Sequence, residues 1–300
     1  MTRSGAQHLV TSQNGDGGWA AHAGRASSTE ITALATLALG RLDTPVARSS
    51  AARGLRWLAA RQHDDGGWPV STRVEDASWA AALAVLALDG LRHEPAHGVR
   101  GARWLLRRAP RTPGVAVSLL HRFAPSTLAV RLNPDLKGWA WTADASSFVE
   151  PTCYAVLALK RLRRHLPGST VDERIDEAER LVYDRMCRGG GWNYGNSTVL
   201  DAELWPYADV TALALLTLAD YPRREANQQS LRALRGMLEH VDSGLSLAWA
   251  ALCFAAYGED PAPWRRRLVQ RYARTAFLGE TKAVALALLA MTDGAEVFRT

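Results

Sequence analysis

Gln62-His63-Asp64-Asp65-Gly66-Gly67-Trp68 decides the fold, together with the apolar run that follows it through Leu83, Leu86 and Leu88. A near copy, Gln13-Asn14-Gly15-Asp16-Gly17-Gly18-Trp19, opens the chain and precedes a second apolar run from Glu30 to Leu39. A third version reads Gly190-Gly191-Trp192-Asn193-Tyr194-Gly195, ahead of Asp209-Val210-Thr211-Ala212-Leu213. One supersecondary unit recurring at intervals of several tens of residues is the mark of a repeat architecture. The turn itself reads as structural. Consecutive glycines allow positive φ after a helix end, the Trp offers a broad apolar surface to the helix just left, and Gln62 or Gln13 can bind exposed backbone groups at a helix end.

Around these turns two kinds of helix alternate. Ala51–Arg61, with Leu55, Trp57 and Leu58 on one face and arginines beside them, suits a helix with one wet side. The stretch from about Asp76 to Leu91 is apolar nearly all round, which requires burial on most of its surface. The same alternation predicts outer helices near 4–12, 99–108, 171–186, 228–241 and 263–277. Their inner partners fall near 29–42, from Glu150, from Asp209 to Ala219, 243–257 and 280–291. Six units therefore form one all-α domain over 1–300, an inner ring of helices inside an outer ring. Units five and six lack the Gly-Gly-Trp turn and rest on periodicity. An insertion near 113–136, with apolar runs at Val115–Leu120 and Leu128–Val130, breaks the pattern and is a loop folded on the ring or a lid beside its mouth.

The chain has 300 residues, 47% of them hydrophobic, enough for a large core that a closed ring divides among neighbours. No apolar run approaches the roughly 20 residues that span a bilayer. The first repeat begins almost at once, leaving no room for a signal peptide. Three scattered cysteines, Cys153, Cys187 and Cys253, argue against a disulfide framework and for a reducing cytoplasm. The net charge of +6 is carried almost wholly by arginine; the only lysines are Lys137, Lys160 and Lys282. The charge is spread over outer helices and helix ends. It fits a solvated face, or peripheral contact with an anionic membrane or a phosphorylated ligand, and no nucleic-acid motif accompanies it.

Acids recur at the starts of the inner helices, two residues before Thr or Ser: Glu30 before Thr32, Asp76 before Ser78, Glu150 before Thr152 and Asp209 before Thr211, with Glu280 a candidate fifth. A first-turn acid is favoured by the helix dipole alone. A ring, however, gathers these starts at one mouth, where burial and like charge keep a carboxyl protonated. Trp79, Trp141, Tyr154, Tyr207 and Trp249 are placed to line such a cavity, or to pack its core. The eight histidines show no ligand spacing with the cysteines, and neither a metal nor another cofactor is expected.

The Gln-x-x-Asp-Gly-Gly-Trp turns, Val149-Glu150-Pro151-Thr152 and Gly190–Asn196 resemble the prenyltransferase and squalene-cyclase repeat family. The resemblance implies an α6/α6 toroid around a central cavity and an isoprenoid or other lipid as ligand. The family's cyclases carry Asp-x-Asp-Asp-Thr-Ala, whose middle Asp protonates an alkene or epoxide. The matching segment here is Tyr207-Ala208-Asp209-Val210-Thr211-Ala212, with Tyr207 and Val210 in place of the flanking acids. A class II cyclase-like enzyme would use Asp209 as general acid, with Glu150 or Asp76 as the alternative. Aromatic walls would then steady a carbocation. A non-catalytic lipid-binding protein on the same scaffold is the first alternative. The second is an α6/α6 carbohydrate enzyme pairing Glu150 with Asp209. The oligomeric state is not legible.

Overall fold

The computed structural model describes residues 1–108, 133, 135–142, 145–168 and 170–299. Among them are twelve α-helices: α1 (2–11), α2 (29–40), α3 (45–60), α4 (81–90), α5 (95–107), α6 (149–162), α7 (170–184), α8 (208–217), α9 (225–240), α10 (244–256), α11 (262–275) and α12 (281–291). The even-numbered helices pack side by side in chain order, and α12 closes on α2. The odd-numbered helices form the outer wall. Each packs chiefly on the inner helix before it, and α1 packs on α12. The chain is an α6/α6 toroid.

Burial separates the two rings. Residues 81–88 of α4 are all buried, as are Thr29 and 31–39 of α2. Outer α11 buries only Leu268. The turns work as locks between them. Trp19, Trp68 and Trp192 are fully buried, and their indole N–H groups donate to the carbonyls of Leu9, Leu58 and Val182 at 2.6–2.7 Å, each ten residues back. Those carbonyls belong to the last turns of the outer helices, which lack intrahelical partners. Asp65 Oδ1 accepts from Gly67 N at 2.9 Å, and its Oδ2 accepts from Trp104 Nε1 at 2.9 Å. Gln62 Nε2 donates to Gly66 O and His97 O at 3.0 Å, so the turn is tied to α5. Gly66 has φ +99°, and a Cβ there would meet the Arg100 carbonyl at 2.6 Å. Asp16 and Gln13 repeat these bonds in the first unit.

Two further pieces position the site. Before α8, residues 198–203 form a two-stranded hairpin turned by Leu200 and Asp201, both at positive φ. At the other end of the ring a 3-10 turn, Gly294–Val297, follows α12 and packs on α10 and α12. Expected and observed helices agree closely except in unit two. There α4 starts at Ala81, because Ala77 bridges Pro69, Ser78 N donates to Trp68 O at 2.8 Å, and residues 78–80 make a tight turn into the helix. The expected insertion near 113–136 lies almost wholly outside the described residues. No helix among the described residues is long and apolar enough to cross a membrane.

Candidate functional site

One backbone device sets the mouth of the ring. A residue leading into the inner helix donates its N–H to the carbonyl of the turn Trp: Ser28 to Trp19, Phe148 to Trp139 and Tyr207 to Trp192 directly before their helices, and Ser78 to Trp68 three residues ahead of α4, at 2.8–3.0 Å. In units one, three and four a Thr four residues later (Thr32, Thr152, Thr211) accepts from the N–H of the same Trp at 2.9 Å. Clamped at both ends, the helix start has a fixed register, and the acid falls two residues past the cap: Glu30, Glu150 and Asp209. In unit two the residue two past the clamped Ser78 is Ala80, and Asp76 lies two residues ahead of Ser78, exposed. The fifth unit is capped by Ser243, which puts Leu245 there. In the sixth, Glu280 is itself the cap, accepting from Ala283 N at 3.3 Å, and the position falls to Lys282.

Three acids and one lysine therefore share this layer. Lys282 Nζ lies 2.6 Å from Glu30 Oε1 and 3.7 Å from Glu150 Oε1. Glu30, ahead of Glu150, holds the ammonium charged and keeps its pKa above the ordinary lysine value despite burial. Glu150 is buried, 8% exposed, and burial pushes its carboxyl up to about 7. The Glu30 and Asp209 carboxylates push it the same way, against Lys282. Tyr154 Oη donates to Glu150 Oε1 at 3.2 Å, and Tyr194 Oη to Asp209 Oδ2 at 2.8 Å. Glu280 is raised as well, by burial. The arrangement is a lysine–glutamate pair beside a carboxyl that keeps its proton near neutrality.

An aromatic column runs down from this layer. Trp141 meets Trp79 edge-on with centroids 4.7 Å apart, and Trp79 stacks on Tyr154 at 5.8 Å. Tyr154 lies 6.2 Å from Trp249, and Trp249 is 5.2 Å from Phe298 of the C-terminal segment. Tyr154 and Trp249 are buried, while Trp79 and Trp141 are half-buried at the mouth. Tyr207 pairs with Tyr194 at 5.6 Å on the exposed side, near Asp209. The structure thus brings together Glu30, Glu150, Asp209, Trp79, Trp141, Tyr154, Tyr207 and Trp249. It leaves Asp76 outside. Lys282, Tyr194 and Phe298 were not anticipated. The only available signal was for Lys282: a rare lysine in an arginine-rich chain, two residues past a cap.

The likeness of this ring to known proteins is one of shape. No family model matches the chain, and no curated protein matches it in sequence. Among solved structures it is similar to a protein from Actinoplanes, 16% identical over 98% of each chain, with a TM-score of 0.57. It is similar to the apo type II terpene cyclase MstE from Scytonema, 12% identical over 99% of this chain and 97% of that one, with a TM-score of 0.61. It is also similar to a novel alpha-amylase from Clostridium perfringens, 8% identical over 97% of each, again at 0.61. The fold is shared; the chemistry must come from the site.

Proposed function

We propose that the acidic mouth receives an isoprenoid chain and that Glu150 starts its cyclisation as general acid. The observation that carries this reading is a buried carboxyl, pushed to about 7, at the head of an aromatic column inside a closed ring. The shared toroid shape of MstE, a type II terpene cyclase, is consistent with it. Glu150 would give its proton to the terminal alkene carbon. The resulting tertiary cation takes the electron pair of the next alkene, and a ring closes. The final cation loses a proton to Asp209 or to water, and Glu150 is reprotonated, so the net change is an isomerisation. Lys282 and Glu30 neutralise one another and leave Glu150 as the uncharged acid. Trp79, Trp141, Tyr154 and Trp249 present ring faces to the cation, each such contact contributing about 0.5–2 kcal/mol.

The test is incubation with prenyl diphosphates, squalene and polyprenols, followed by mass spectrometry of bound and converted lipid. The intact protein is expected to bind a chain and convert it, and Glu150→Gln to bind without converting. Turnover by Glu150→Gln would remove Glu150 from the role. Binding without conversion by both proteins would leave a carrier in place of an enzyme. Release of reducing sugar from an α-glucan, with no lipid bound, would replace the reading with the carbohydrate one.

A further inference from the structure

The opposite mouth of the ring carries the opposite charge. Its cations are gathered around a cavity of about 540 Å³ at the ends of α2, α4 and α6. Arg41, Arg92, His93, Arg161, Arg164 and His165 line it, with only Asp89 and Glu296 as acids. A contiguous cavity of about 490 Å³ shares Asp89, Arg161 and Arg164 and adds Lys160, Arg163 and Arg299. Both volumes lie in the range of small-molecule sites.

Most of these charges are already engaged. Arg161 Nε lies 2.8 Å from Asp89 Oδ2, and its Nη1 donates to the Glu296 carbonyl at 2.9 Å. Arg41 pairs with Glu296 at 2.8 Å, Arg163 with Asp172 at 2.6 Å, and Lys160 with Glu179 at 2.6 Å. Arg92, Arg164 and Arg299 have no carboxylate partner among the described residues. Negative helix C-termini attract cations, which explains some of this charge. It does not explain all of it, because α5 enters the same cavity by its N-terminus, through Pro95 and Gly98, and that end is positive. The Arg92 guanidinium, the Arg164 guanidinium, whose Nε donates to His165 Nε2 at 3.0 Å, and a helix N-terminus face one concave space that an anion would neutralise, while His93 lies 3.6 Å from Glu94.

We infer that this cavity is a phosphoanion site, fitted to a diphosphate or a phosphate monoester and independent of the acidic mouth. α6 is 14 residues long. At 1.5 Å per residue the two sites stand about 20 Å apart. Between them Phe298 of the C-terminal segment is buried and packs 5.2 Å from Trp249 of α10. The ligand therefore binds at its own site and does not thread the ring. Arg92 and Arg164 contact it directly. Arg161 and Arg41 hold the wall that it closes against.

The probes are sodium diphosphate and sodium phosphate, titrated calorimetrically into the full chain at two salt concentrations. One saturable site is expected, weaker at the higher salt. Arg92→Ser with Arg164→Ser, both at exposed positions, is expected to weaken diphosphate binding at least tenfold with an unchanged melting temperature. Arg56→Ser with Arg103→Ser, which removes the same charge from the outer wall, is expected to leave binding unchanged. Absence of saturable binding, or equal loss in the two double variants, overturns the inference. Sedimentation with phosphatidic acid vesicles distinguishes the sources. Vesicle binding that free diphosphate displaces assigns a lipid headgroup, and no vesicle binding assigns a soluble phosphoanion. Vesicle binding that the Arg92/Arg164 variant retains in full counts against the site.

Discussion

The two mouths of the ring are built from the same six helices and differ in how they treat charge. At the C-terminal mouth, Arg161 satisfies Asp89 and carbonyls of the terminal segment, and Lys160 sits between Glu179 and Asp220. Each of these buried charges has its partner. At the N-terminal mouth, three acids face one lysine: Glu30 lies 2.6 Å from it, Glu150 only 3.7 Å, and Asp209 accepts from a tyrosine hydroxyl instead. The Glu150 proton is held by burial and by like charge. Burying a charge is costly unless it is paired. A mouth that buries a carboxyl with its nearest cation held closer to another acid has traded stability for an acid, which is how reactive groups are tuned.

Glu150→Gln tests the contrast most severely. It keeps the shape and the Tyr154 contact and removes only the transferable proton. Conversion of bound lipid is expected to fall by about 10²–10⁴-fold, with little change in lipid retention. The matching change at the other mouth, Asp89→Asn, is expected to leave conversion within a few-fold of the intact protein. Equal losses at both mouths would erase the distinction.

The pH dependence of stability comes next. The Glu150 carboxyl titrates near 4.5 when unfolded and at about 7 when folded. Between these values the folded chain binds more protons than the unfolded one, so stability falls as pH rises from about 4.5 to 7 and levels off above. A shift of this size corresponds to about 3 kcal/mol. Lys282, whose pKa is raised, contributes fully at neutral pH and loses its effect only in strongly alkaline solution. Urea melts across pH 4–8 are expected to show the decline in the intact protein and a flatter profile in Glu150→Gln. Conversion, which needs the protonated carboxyl, is expected to fall above about pH 7.

The ring and its helix boundaries were legible because Gly-Gly-Trp recurs and because a buried helix differs in composition from a half-wet one. The acids were legible in part. Glu30, Glu150 and Asp209 stand at the second helical position, where sequence and structure agree. Asp76-x-Ser78 imitates Glu30-x-Thr32, but Ser78 is the residue clamped to Trp68, ten residues after it where Ser28 is nine after Trp19. One extra loop residue and a later helix start move Asp76 out to solvent. Lys282 carried only the signal of a rare lysine, because its position is defined by a hydrogen-bonded cap that the sequence does not display. Tyr194 and Phe298 reach the site from a loop and from the chain's end, by contacts that no local pattern encodes.

Arg161→Ala acts on the buried, paired charges of the C-terminal mouth. It strands Asp89, which is 12% exposed at its side chain, and frees carbonyls of the terminal segment. A loss of about 3 kcal/mol is expected in denaturant melts, since removing one partner leaves the other buried and uncompensated. Lys282→Met at the acidic mouth is expected to lose less, because the Glu30 side chain it strands is 18% exposed against 12% for Asp89 and keeps more water.

The smallest expected effect decides which acid the N-terminal mouth uses. Tyr194→Phe removes the hydroxyl that donates to Asp209 Oδ2 at 2.8 Å and touches nothing on Glu150. Tyr194 is 39% exposed, so water replaces much of the lost bond. The cost in stability is about 1 kcal/mol or less. If Glu150 gives the proton, conversion changes by less than about threefold, the residue being Asp209's role as final acceptor. If Asp209 gives it, losing its one hydroxyl donor alters the acid itself. Conversion then changes by more than tenfold, and its pH profile moves with the substitution. Single-turnover rates measured from pH 5 to 8 on the two proteins separate these outcomes. A shifted profile in Tyr194→Phe would return the acid to the half-buried Asp209 carboxyl and leave Glu150 as a buried group balanced by Lys282, as the paired charges are at the other end of the ring.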